Sequence, residues 1–114
     1  MNEGQSQFLE RMKIIKQEFE THLPEKIDDI IEQWQNLKIN GWKREVVTDC
    51  HKSIHKLTGS SGIMGYMQIS EICGNIEDGL QRVLELNEPL NSKQFELMDN
   101  YMKELKNQLS KITK

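Results

Sequence analysis

The sequence predicts an all-α fold. Apolar residues recur at steps of three and four in five segments, and no stretch alternates with the period of two that a half-buried strand requires. Glycine, proline and asparagine fall between these segments, where breaks belong. At 114 residues the chain has room for one domain, residues 1–114, and none for a kinase that carries its own nucleotide-binding domain. With 36% hydrophobic residues it should fold around a modest core without staples.

The first predicted helix carries Phe8, Met12, Ile15 and Phe19 at steps of four, three and four, and runs to a break near His22. Pro24 suits the first turn of the second helix, because its missing N–H costs nothing there. That helix presents Ile27, Ile30, Ile31, Trp34 and Leu37. Asn40 and Gly41 close it, since both tolerate the left-handed conformation of a helix end. The third helix begins around Trp42 or Lys43. Its stripe is Val46 or Val47, Cys50, Ile54, Leu57, Ser61 and Met64, and Gly62 with Gly65 marks its end or a bend.

The fourth helix places Ile69, Ile72, Cys73, Ile76, Leu80, Val83 and Leu84 on one side, is weakened by Gly74 and Gly79, and stops before Asn87 and Pro89. Asn91 with Gln94 three residues on forms a capping-box pattern. It opens a fifth helix through Phe95, Met98, Met102, Leu105, Leu109 and Ile112. Short connections favour antiparallel neighbours, so the expected architecture is an up-and-down antiparallel four-helix bundle of helices two to five, with an additional N-terminal helix across one end.

Charge excludes several classes of partner. The formal net charge is −3 and acidic and basic residues are interspersed, which argues against nucleic acid. Apolar runs of two or three residues fall far short of the about 20 needed to span a bilayer, and the start MNEGQSQFLE has no basic or apolar leader pattern. The expectation is a cytoplasmic monomer with no membrane contact. Cys50 and Cys73 lack a CxxC partner and lie on apolar stripes, so they read as reduced core thiols rather than as a disulfide. Trp34, Trp42 and the six methionines read as packing groups.

One segment stands apart: His55-Lys56-Leu57-Thr58-Gly59-Ser60-Ser61-Gly62-Ile63-Met64-Gly65. Each glycine inside a helix costs roughly 1 kcal/mol against alanine, yet this one tolerates several. Taking Cys50 as the core direction at about 100° per residue, His55 lies roughly 140° round, with Gly59 at about 180° and Gly62 at about 120°. His55 therefore faces out beside bare backbone, where another protein can approach an imidazole closely. A neutral imidazole is nucleophilic and can accept a phosphoryl group without further activation. By position alone, an ordinary exposed histidine is the competing account.

These residues resemble the signature of histidine-containing phosphotransfer (HPt) domains, H-x-L-K-G-S-S/A-x-x-h-G with h apolar, in every position except the lysine, which is Thr58 here. The glycine-rich run Gly59 to Gly65 is also similar to the phosphotransfer domain of chemotaxis histidine kinases. The resemblance implies a four-helix bundle covering nearly the whole chain. It makes His55 the phosphoacceptor through Nε2 and Gly59 the clearance for an incoming domain, with Ser60 hydrogen-bonding nearby. Glu77 matches the position from which chemotaxis relatives hold the histidine's Nδ1, and the helical wheel sets it beside the apolar stripe, although a plain surface glutamate would sit there too. Thr58 removes the family's phosphate-facing cation. Lys56, or Lys52, can replace part of that field, unless both are simply solvated.

The resemblance implies a protein of a two-component phosphorelay that takes a phosphoryl group from a receiver-domain aspartyl phosphate and passes it to another receiver aspartate. It implies a phosphoryl carrier with no cofactor of its own, Mg²⁺ belonging to the partner receiver. The implied partners are response-regulator receiver domains and hybrid sensor histidine kinases. The alternative is a docking module of the same fold that accepts no phosphate. His51 and His55, at i and i+4, offer two metal ligands without a third, so His51 reads rather as packing or bonding at the helix boundary. Ile63 joins an apolar docking patch around His55 if the helix persists that far.

Overall fold

The computed structural model describes residues 2–112, and all regular structure among them is helical. Helix α1 spans Glu3–Asn40, α2 Arg44–Ile63, α3 Met67–Leu86 and α4 Ser92–Ile112. Each helix packs closely on two neighbours, α1 on α2 and α4, and α3 on α2 and α4, while the backbones of the diagonal pairs stay further apart. With such short connections, consecutive helices run antiparallel around one core.

The first two predicted helices are one. No break occurs near His22, and α1 runs unbroken for 38 residues with Pro24 inside it. Among the described residues no separate helix therefore lies across the bundle end. Phe19, Leu23, Ile27, Ile30, Trp34 and Leu37 are all buried, at steps of four and three that keep one face through the proline. An interior proline costs about 3 kcal/mol, but each fully buried aliphatic side chain returns roughly 1.5–3 kcal/mol, and Leu23 and Ile27 flank it on either side. Beside the proline, Tyr66 stacks on Phe19 with ring centroids 5.3 Å apart and donates its hydroxyl to the Glu20 carboxylate.

The remaining boundaries follow the local signals. Gly41 (φ 92°) and Gly65 (φ 86°) take positive-φ turn conformations after α1 and α2, and Asn87 (φ 53°) caps α3. Asn91 and Gln94 form the reciprocal capping box that opens α4, each bond 2.9 Å. Asn2 and Gln5 form a second one at the start of α1. Gly79 has a packing role: an added Cβ would lie 2.8 Å from the Met98 sulfur, so α4 approaches α3 where the side chain is missing.

One end of the bundle is aromatic. Trp34, Trp42 and Phe95 pack with centroids 5.2–6.2 Å apart, and the buried Trp34 indole N–H donates to Asp99 Oδ1 at 2.7 Å. Lys38 pairs with the same carboxylate at 3.1 Å. Burial pushes the Asp99 carboxyl upward, but the hydrogen bonds from Trp34 and Lys38 and the charges of Lys38 and Lys103 outweigh it and hold the group below the ordinary aspartate value. Cys50 and Cys73 are free and buried, on the stripes that the sequence assigns them.

Candidate functional site

The site lies on the seam of α2 and α3. The apolar stripe of α2 (Val47, Cys50, Ile54, Leu57, Ser61) turns inward and leaves His55 outward, its side chain 70% exposed. On α3, burial of Ile72, Cys73, Ile76 and Leu80 puts Glu77 at the edge of that helix's buried face, 20% exposed, turned toward α2. The two meet: His55 Nδ1 donates to Glu77 Oε2 at 2.6 Å. A carboxylate only accepts, so the neutral ring carries its proton on Nδ1 and its lone pair on Nε2.

His51 shares this carboxylate. Its ring lies parallel to that of His55 (9° between planes, centroids 6.3 Å), and its Nε2 is 4.0 Å from Glu77 Oε2. That Nε2 is buried without a hydrogen bond, and the side chain is only 19% exposed. His51 is thus packed, as its place on the helix predicts. Its stacking on His55 beside Glu77 is a neighbourhood that the sequence reading missed. The signal was present in the i, i+4 spacing, which brings two rings together whether or not a metal lies between them. Among the described residues no group of three or more His, Cys, Asp or Glu is placed to hold a metal ion.

The glycines differ in what surrounds them. A Cβ built on Gly59, one turn beyond His55, meets nothing within 4 Å, whereas one on Gly62 would lie 3.2 Å from Ser70 Oγ. The α2 surface next to His55 is therefore bare and open, and the surface a turn further is closed by α3. Ile63, the last residue of α2, is exposed.

Lys56 and Ser60 face the other flank. Together with Lys26, Asp29, Ser53 and Leu57 they line a cleft between α1 and α2, and Ser60 Oγ donates back to the Lys56 carbonyl at 2.9 Å. Glu77 and His51 are thus gathered at His55, while Lys56 and Ser60 are not turned to its α3 side. Thr58 is half-buried against α3: its hydroxyl donates to the Ile54 carbonyl at 2.9 Å, and its own carbonyl accepts from Ser70 at 2.9 Å. A threonine at this position bonds its own helix and brings no cation to His55.

The cysteines stand apart from this chemistry. Burial pushes both thiols up to about 12, with the Glu77 charge adding to the effect on Cys73. Neither is a nucleophile at neutral pH.

A family model described as "Hpt domain" matches residues 14–109, which include all of α2 and α3 and therefore His51, His55 and Glu77. The chain belongs to the Hpt domain family. No curated protein and no solved structure matches it. As an Hpt domain it belongs to histidine phosphotransfer in two-component signalling, where such domains interact with receiver domains and histidine kinases. No helix among its described residues is long and apolar enough to cross a membrane.

Proposed function

We propose that this Hpt domain is a cytoplasmic phosphorelay carrier whose phosphoacceptor is His55. The observation that carries the reading is the 2.6 Å contact of His55 Nδ1 with Glu77 on a ring that is 70% exposed. The carboxylate keeps the lone pair on Nε2, and the exposure leaves that nitrogen open to a partner's active site.

In the transfer, the Nε2 lone pair attacks phosphorus of a receiver aspartyl phosphate. The N–P bond forms as the P–O bond to the aspartyl oxygen breaks, and the electron pair leaves with the aspartate carboxylate. The imidazole keeps its Nδ1 proton and gains positive character that Glu77 offsets. The reverse step onto a second receiver's aspartate completes the relay. Mg²⁺ and the acidic pocket belong to the receiver. Gly59 gives the incoming domain clearance beside His55, and Lys56 supplies general positive field from the α1 side. The chain provides a positioned nucleophile and a docking surface.

The placement of Thr58 favours one competing reading, a docking module that binds receivers without accepting phosphate. A single experiment separates the two. Phosphorylated receiver domains are mixed with the wild-type chain and with His55→Gln, and acid-labile, alkali-stable label is scored together with receiver binding. Label on the wild type alone is the expected result. Binding without label on either chain would overturn the carrier in favour of the docking module.

A further inference from the structure

The N-terminal part of α1 projects beyond the bundle. At about 1.5 Å per residue its 38 residues span roughly 57 Å, against about 30 Å for α2 and α3, and the molecule is correspondingly 55 Å long. The overhang is amphipathic. Phe8, Met12 and Ile15 continue the α1 core stripe on the same face, past the level at which the other helices stop, and they are 37–62% exposed. Most of this segment precedes the stretch shared with the family, which begins at residue 14.

We infer that this overhang pairs two copies of the chain, through an antiparallel two-helix contact along Phe8, Met12 and Ile15. The steps of four, three and four from Phe8 to Phe19 are those of a coiled-coil seam. In an antiparallel pair with Met12 opposite Ile15 of the second copy, Phe8 meets the edge of the second copy's Phe19. The flanking residues decide the orientation. Arg11 and Glu18 lie on the flank of the stripe away from Lys16, whose ammonium sits 5.4 Å from the Tyr66 ring centroid, and neither is in an ion pair among the described residues. Antiparallel pairing sets Arg11 of each copy against Glu18 of the other, twice by symmetry. Parallel pairing would set Arg11 against Lys16.

The surface available fits a weak dimer. Phe8, Met12 and Ile15 with the adjoining Leu9 leave roughly 400 Å² of apolar surface per chain, and two copies bury at most about 800 Å² of it, less than the about 1,000 Å² of a stable specific interface, so the pairing is weak and its orientation rests on the flanking charges. The dissociation constant expected is on the order of 10–100 µM. The inference replaces the monomer expected from sequence, which had this helix folded against the bundle. It is independent of the chemistry at His55.

The test is sedimentation equilibrium of the full chain from about 10 µM to about 1 mM, with circular dichroism as the folding control. The wild type is expected to dimerise, and Phe8→Glu to stay monomeric with its bundle intact. Arg11→Glu, which sets two like-charged pairs in place, should raise the dissociation constant about tenfold, and the double variant Arg11→Glu with Glu18→Arg should return to within about threefold of wild type. Tighter dimerisation of Arg11→Glu would indicate the parallel arrangement and overturn the inference. So would a wild type still monomeric at about 1 mM; if that monomer co-sedimented with vesicles of anionic lipid, the stripe would belong to a membrane surface instead.

Discussion

Replacing Glu77 with alanine isolates the contact on which the proposed chemistry depends. In the resting state the pair is half in water, with His55 70% and Glu77 20% exposed, so its contribution to folding is at most about 1 kcal/mol. During transfer the situation changes, because a ring that keeps Nδ1–H while Nε2 bonds phosphorus becomes cationic in character. A hydrogen bond from such a group to a carboxylate is worth roughly 1.5–3 kcal/mol, of which the up to about 1 kcal/mol already present in the resting pair does not lower the barrier, so at about 1.4 kcal/mol per decade its loss slows transfer by about 2- to 150-fold. Glu77→Gln keeps an acceptor oxygen but not the charge, and should fall between wild type and alanine. The assay is single-turnover transfer from a saturating phosphorylated receiver, followed by rapid quench, with urea unfolding of each variant alongside. Glu77→Ala transferring at the wild-type rate would refute the positioning role. A rate loss accompanied by more than about 2 kcal/mol of destabilisation would show that the carboxylate holds the fold instead.

The other predictions rest on separate observations. Gly59→Gln has open space for its side chain on a helix surface, so the fold should gain up to about 1 kcal/mol while receiver docking is lost; unchanged docking in a binding titration would remove Gly59 from the interface. Asp99 is held below its ordinary value when folded, so its contribution is present above the unfolded aspartate range near pH 4 and disappears as pH falls through the depressed folded value; Asp99→Asn should flatten the acid limb of thermal unfolding curves taken from about pH 6 to about pH 2. The thiols of Cys50 and Cys73, raised to about 12, should react with a disulfide reagent at pH 8 no faster than the chain unfolds, and fast labelling of native protein would contradict their burial.

The sequence by itself determined the helical class, the stripes that α2, α3 and α4 turn to the core, the turns at Gly41 and Gly65, the capping box at Asn91 and the outward face of His55. Each of these depends on residues within a few positions of one another, so local periodicity and turn chemistry suffice. Even there the balance at Pro24 was not local. The proline reads as a helix start because its defect is written in the sequence, whereas the burial of Leu23 and Ile27 against other helices, which carries α1 through it, is not. The same holds for the site. Glu77 lies 22 residues from His55, and only the packing of α3 on α2 brings its carboxylate to Nδ1. Tertiary structure likewise set His51 beside that carboxylate, turned Lys56 and Ser60 toward α1, and left the stripe of Phe8, Met12 and Ile15 uncovered, because a helix face shows in the sequence but the neighbour that meets it does not.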